Sequence, residues 1–148
     1  MRAFAAGRAL ALSAGLEPPA DLAPLLGRLG LEVVPWRFEG RVREVIIGNA
    51  VGIDERLPEP WVRWLTAHAV GHRLLHTGTS LYLESWQWVN RVKAERQAEE
   101  FAAGLLLPAD AGRFAGSRTM ASRCGIPELK AAWALALDAS GGGAYTRP

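Results

Sequence analysis

The chain's three histidines fall within nine residues, as His68, His72 and His76 of the segment AHAVGHRLLH. Imidazole is both a common metal ligand and an acid–base group near neutral pH, so the spacing decides which chemistry is open. At 100° per residue Trp61, Trp64, Leu65, His68, His72 and Leu75 share one helical stripe, which turns His68 and His72 toward the interior. One turn separates these two by about 6 Å of rise, close enough for both rings to converge on one ion. His76 lies about 12 Å along the axis from His68, too far to join them at bond lengths near 2 Å. A single inward histidine would read as a hydrogen-bonded core residue; two at i and i+4 on one inward face favour a metal.

A third ligand must come from another element, and the next helical segment offers one. There Glu95, Ala98, Glu99, Ala102 and Leu106 share a stripe, whereas Lys93, Gln97 and Glu100 face the other side. Two carboxylates on a face of small apolar residues are costly to bury without a cation or hydrogen-bond donors. Two histidines and Glu95, with a fourth position for water, form the ligand set of a catalytic zinc site. Glu99, one turn on, is placed to accept a hydrogen bond from the free ring nitrogen of a liganding histidine. The competing reading pairs both glutamates with Arg91, Arg96 or another surface arginine.

The elements that must position these residues fit one domain over residues 1–140, with 141–148 as a tail. At 148 residues the chain is large enough for a real core, and 49% hydrophobic with 22% charged residues excludes collagen-like, coiled-coil and largely disordered classes. Helices are expected over 2–15 and 19–29. Three short strands follow in LEVVPW (31–36), VREVIIG (42–48) and VGID (51–54), all β-branched and separated by Gly or Asn. The histidine helix runs from about Trp61 to Thr77, and the carboxylate helix from a cap at Asn90 to Leu107, stopped by Pro108. Two more helices fill Ser117 to Leu137, broken at Gly125-Ile126-Pro127. The expected class is α+β, a small sheet plus several helices.

Together these motifs resemble the ImmA/IrrE family of zinc metallopeptidases, over most of the chain. That family carries a His-Glu-x-x-His helix followed by a Glu-x-(Glu/Gln)-Ala-(Asn/Asp)-x-Phe-Ala helix; here they correspond to WLTAHAVGHRLLH and ERQAEEFAAGLLLP. The resemblance implies a minimal zincin-like metallopeptidase domain in which His68, His72 and Glu95 hold zinc, and a protein substrate such as a helix-turn-helix repressor. Gln97, Ala98, Phe101 and Ala102 match the surrounding pattern, with Glu99 where Asn or Asp is usual. The departure is Ala69, which occupies the position of the glutamate that activates water. Its methyl group accepts no proton, and loss of a general base costs on the order of 10² to 10⁴ in rate. Ala69 is therefore an engineered replacement, the mark of a natural pseudoenzyme that binds without cutting, or a sign that the base comes from elsewhere, with Glu84 and Glu99 as the candidates.

Other signals are weaker. TMASRCGIPELKAAWAL has the outline of a helix-turn-helix, but Lys130 is the only basic residue of its second helix, the wrong chemistry for phosphates and base edges. A packing hairpin is expected, and direct nucleic-acid binding is not; 17 basic against 15 acidic residues give no strong cationic field. Trp86 and Trp88, in an extended loop, would turn to one side and line a peptide groove or join the core. Tyr82 is a candidate oxyanion donor. The one cysteine, Cys124, excludes an intrachain disulfide, reads as a small buried apolar residue and suggests a reducing, cytoplasmic setting. Arg8 interrupts the apolar opening, against a secretory signal, and no segment reaches the length of a membrane span.

Overall fold

In the computed structural model the described residues are 2–76, 88–111 and 116–145. They form α1 (Arg2–Ala14), α2 (Ala23–Leu29), β1 (Glu32–Trp36), β2 (Glu44–Ile47), β3 (Ala50–Asp54), α3 (Glu59–Leu75), α4 (Trp88–Leu106), α5 (Ser117–Cys124) and α6 (Glu128–Tyr145). The class is α+β, as the residue pattern implies. No helix among the described residues is long and apolar enough to cross a membrane.

The sheet has the order β1-β3-β2, with β1 parallel and β2 antiparallel to the central β3. Alternation along β3 buries Val51 and Ile53 and leaves Gly52 between them. On β2 the same two-residue period places Glu44 beside Ile46, which packs against the core. Register sets Glu44 opposite the buried Ile53. At the end of β3, Asp54 accepts hydrogen bonds from the backbone N–H and the guanidinium of Arg56, fixing the turn that launches α3. These bonds hold the Asp54 carboxyl down at about 2.

Helix α3 begins at Pro58–Glu59–Pro60, where a proline costs no helical hydrogen bond. Every residue from Trp64 to Gly71 is buried, because α3 packs against both α4 and the sheet. The contact with α4 is close: a Cβ placed on Gly71 would lie 3.1 Å from the carbonyl oxygen of Ala98. On its other side α4 meets α1 through Gly7 and Gly104, whose absent Cβ atoms would collide with the carbonyl oxygens of Phe101 and Phe4. Flanked in this way, α4 is buried all round from Phe101 to its end at Leu106.

The differences from expectation are local. Asn90 does not cap α4, which starts two residues earlier, and Trp88 is its first residue rather than part of an extended loop. Glu100, expected on the outer face, is buried beside Phe101, with Arg96 Nε donating to its carboxylate at 3.2 Å. Helix α6 runs past Leu137 to Tyr145, anchored where Arg8 of α1 pairs with Asp138 at 2.9 Å. Helices α5 and α6 form the expected packing hairpin around Met120, Cys124, Ile126, Ala131 and Ala134. Burial pushes the Cys124 thiol up to about 11, consistent with an inert core side chain.

Candidate metal centre

Close approach of α3 and α4 at Gly71 and Ala98 brings the two chemical stripes face to face. His72 Nε2 lies 3.0 Å from Glu95 Oε1, and His68 Nε2 lies 3.2 Å from Glu95 Oε2. The two imidazoles stand edge to face with centroids 4.7 Å apart. One donor atom from each of His68, His72 and Glu95 falls within 4.8 Å of the others, so this group could hold a metal ion. His76 is outside the group. It ends α3, and burial together with the neighbouring His72 lowers its pKa.

The donor chemistry fits a cation. His68 is buried, and its Nε2 is aimed at Glu95 but off the line of a hydrogen bond, which leaves a buried polar atom without a hydrogen-bond partner. Such an atom carries a desolvation cost that a metal ion would relieve. Glu95 is half exposed on its open side, giving the cluster access to solvent. The close imidazole of His68, then that of His72, lowers the Glu95 carboxyl well below the usual carboxylate range.

The other ring nitrogen of His68 reveals a residue that the spacing of the motifs does not point to. His68 Nδ1 is 3.0 Å from Glu44 Oε1 and 3.4 Å from Oε2, and the Glu44 side chain is only 13% exposed. A strand residue thus fixes the ring so that Nε2 is the nitrogen turned toward His72 and Glu95. Burial alone would lower the His68 pKa, but the hydrogen bond to Glu44 and the close carboxylate of Glu95 outweigh it and push the value up to about 10. The one signal in the sequence is that Glu44 shares strand parity with the core-facing Ile46.

Glu99 is close to the cluster, its Oε1 lying 4.0 Å from His68 Nε2, yet its hydrogen bonds go elsewhere. It accepts from Trp64 Nε1 at 3.1 Å and from Lys130 Nζ at 2.8 Å, which ties α3, α4 and α6 together. The histidine hydrogen bond foreseen for Glu99 is made by Glu44 instead. Glu95 and Glu99 thus face the cluster and α6, and Arg96 pairs with Glu100. Ala69 is 1% exposed within the core and offers no group that could take a proton. Glu84, Tyr82 and Trp86 lie outside the described residues.

No protein-family model matches the chain, and a search of curated proteins finds no relative. What defines the site is its own geometry: a two-helix His-His-Glu cluster backed by a carboxylate from an adjoining sheet.

Proposed function

We propose that the protein is a zinc-binding, metallopeptidase-like domain of zincin-like plan, with hydrolytic power impaired by Ala69. The single observation that carries the reading is the convergence of His68, His72 and Glu95 from two helices, with one histidine backed by a buried carboxylate. Two neutral imidazoles and one carboxylate suit zinc, and three protein ligands leave a position for an exchangeable group. Bound zinc would polarise a scissile carbonyl and lower the pKa of a water. The chain's own part is positional. Glu44 orients His68, Glu95 faces both imidazoles, and the tight Gly71–Ala98 contact sets their separation. The substrate class is a protein or peptide, with a helix-turn-helix repressor as the first candidate by the resemblance of the motifs, acting in the cytoplasm.

A second reading is favoured by Ala69 itself: a metal-stabilised module that recognises a protein partner without cutting it. The two are separated by comparing the parent with Ala69→Glu on the same repressor proteins, metal content verified in both. The peptidase reading expects weak cleavage by the parent and a gain on the order of 10² or more, lost with chelator, in the variant. Strong chelator-sensitive cleavage by the parent would refute the impairment and turn attention to Glu99 and Glu84 as bases. Metal-loaded parent and variant that both bind a repressor and leave it intact would favour the binding module.

A further inference from the structure

Beside the metal cluster, Trp61 of α3, Arg96 and Glu99 of α4, and Leu129, Lys130 and Trp133 of α6 line an open cleft of about 450 Å³. Glu99 belongs to both places: it lines the cleft, and its carboxylate stands 4.0 Å from His68 Nε2. The cleft therefore opens one side chain away from the point where His68, His72 and Glu95 converge. Two of its walls are large apolar groups left in water, Leu129 at 81% and Trp133 at 37% exposure.

These walls are held in place. Trp133 stands edge-on to the buried Trp64, with centroids 6.3 Å apart. The Lys130 ammonium, bonded to Glu99, lies over the rings of Trp61 and Trp64, while the Arg43 guanidinium lies 4.9 Å from the Trp61 ring. The charges of the lining are already matched: Glu99, its only carboxylate, accepts from Lys130, and Arg96 pairs with Glu100 outside the lining. Such a cleft offers a basic side chain no unmatched carboxylate and suits an uncharged apolar one.

We propose that this cleft is the specificity subsite of the metal centre, and that it takes the apolar side chain, aliphatic or aromatic, of a polypeptide residue next to the bond held at the metal. The inference rests on the metallopeptidase reading above and names its substrate preference. Partial burial of a leucine-sized side chain should tighten binding about tenfold over glycine.

The test titrates the zinc-loaded protein calorimetrically with hydroxamates, which anchor on zinc, built on N-acetyl-glycine, N-acetyl-leucine and N-acetyl-lysine. The leucine compound is expected to bind about tenfold tighter than the glycine compound, and the lysine compound no tighter. In Leu129→Glu and in Trp133→Ala the leucine gain should shrink to under threefold, with the glycine affinity unchanged. Leu129 is almost fully in water, so its variant keeps the test valid if loss of Trp133 disturbs packing. Equal binding of glycine and leucine compounds, or a leucine gain that survives both substitutions, would overturn the subsite while leaving the metal reading intact. Absence of any hydroxamate binding to the metal-loaded protein would overturn both. If the parent were a dimer that Leu129→Glu dissociates, with no leucine gain, the cleft would be a self-association face and the proposal would fall.

Discussion

Metal uptake should depend on pH in a way set by the partners of His68. With its pKa pushed up to about 10 by Glu44 and Glu95, His68 is an imidazolium near neutral pH, and the proton must leave before Nε2 can coordinate an ion. Each pH unit below 10 then weakens apparent affinity about tenfold, so binding at pH 7 lies about 10³-fold, or about 4 kcal/mol, below its limit. An ordinary imidazole near 6.5 would give a flat profile above pH 7.5. The assay is competition against a chelator of known proton linkage between pH 7.5 and 9, with released protons counted by a pH indicator. The expected result is a rise of about tenfold per unit and close to one proton released per ion. A change under threefold across that range, or no released proton, would refute the placement of His68 between two carboxylates.

Further outcomes follow from the same contacts. Glu44→Gln keeps an acceptor for Nδ1 but removes the charge, so the slope of metal affinity above pH 7.5 should become shallower; an unchanged slope would dissociate Glu44 from His68. In the metal-free protein, the raised His68 pKa contributes stability that is complete below about 6.5 and is lost as pH climbs toward 10. Denaturant titrations at pH 6 and 9.5 should show that loss, and it should vanish in His68→Gln. Gly104→Val forces a side chain against the Phe4 carbonyl and should cost about 1–3 kcal/mol, read by thermal melting. Gly71→Val should separate α3 from α4 and reduce metal content before it abolishes the fold; full metal content would show that the Gly71–Ala98 contact does not set the site.

Much of the architecture was legible because it rests on local periodicity. The β-branched runs separated by Gly and Asn became β1, β2 and β3, and the stripe from Trp61 to Leu75 turned His68 and His72 inward. Glu95 was legible for the same reason, since its position on α4 shares a face with Ala98 and Ala102. What escaped is non-local. Glu44 meets His68 only because the sheet stacks on α3, and nothing in the spacing of residues 44 and 68 encodes that contact. Glu99 lies on the expected stripe, but its partner Lys130 arrives from α6, 31 residues on. Glu100 is buried although simple amphipathicity assigns its face to solvent, and one turn on along α4 Gly104 packs on Phe4 of α1. Asn90 has the chemistry of a cap, yet the helix extends beyond it to Trp88.

The most direct test of the central claim is the stoichiometry and ligation of bound metal. Cobalt-substituted protein should hold one ion per chain, with a spectrum of a low-coordinate site bearing two imidazoles and a carboxylate. His68→Ala, His72→Ala and Glu95→Ala should each lose that spectrum and bind the ion at least 100-fold more weakly, whereas His76→Ala should retain both. Metal binding that survives all three substitutions, or is lost equally in His76→Ala, would contradict the assignment of the site to His68, His72 and Glu95.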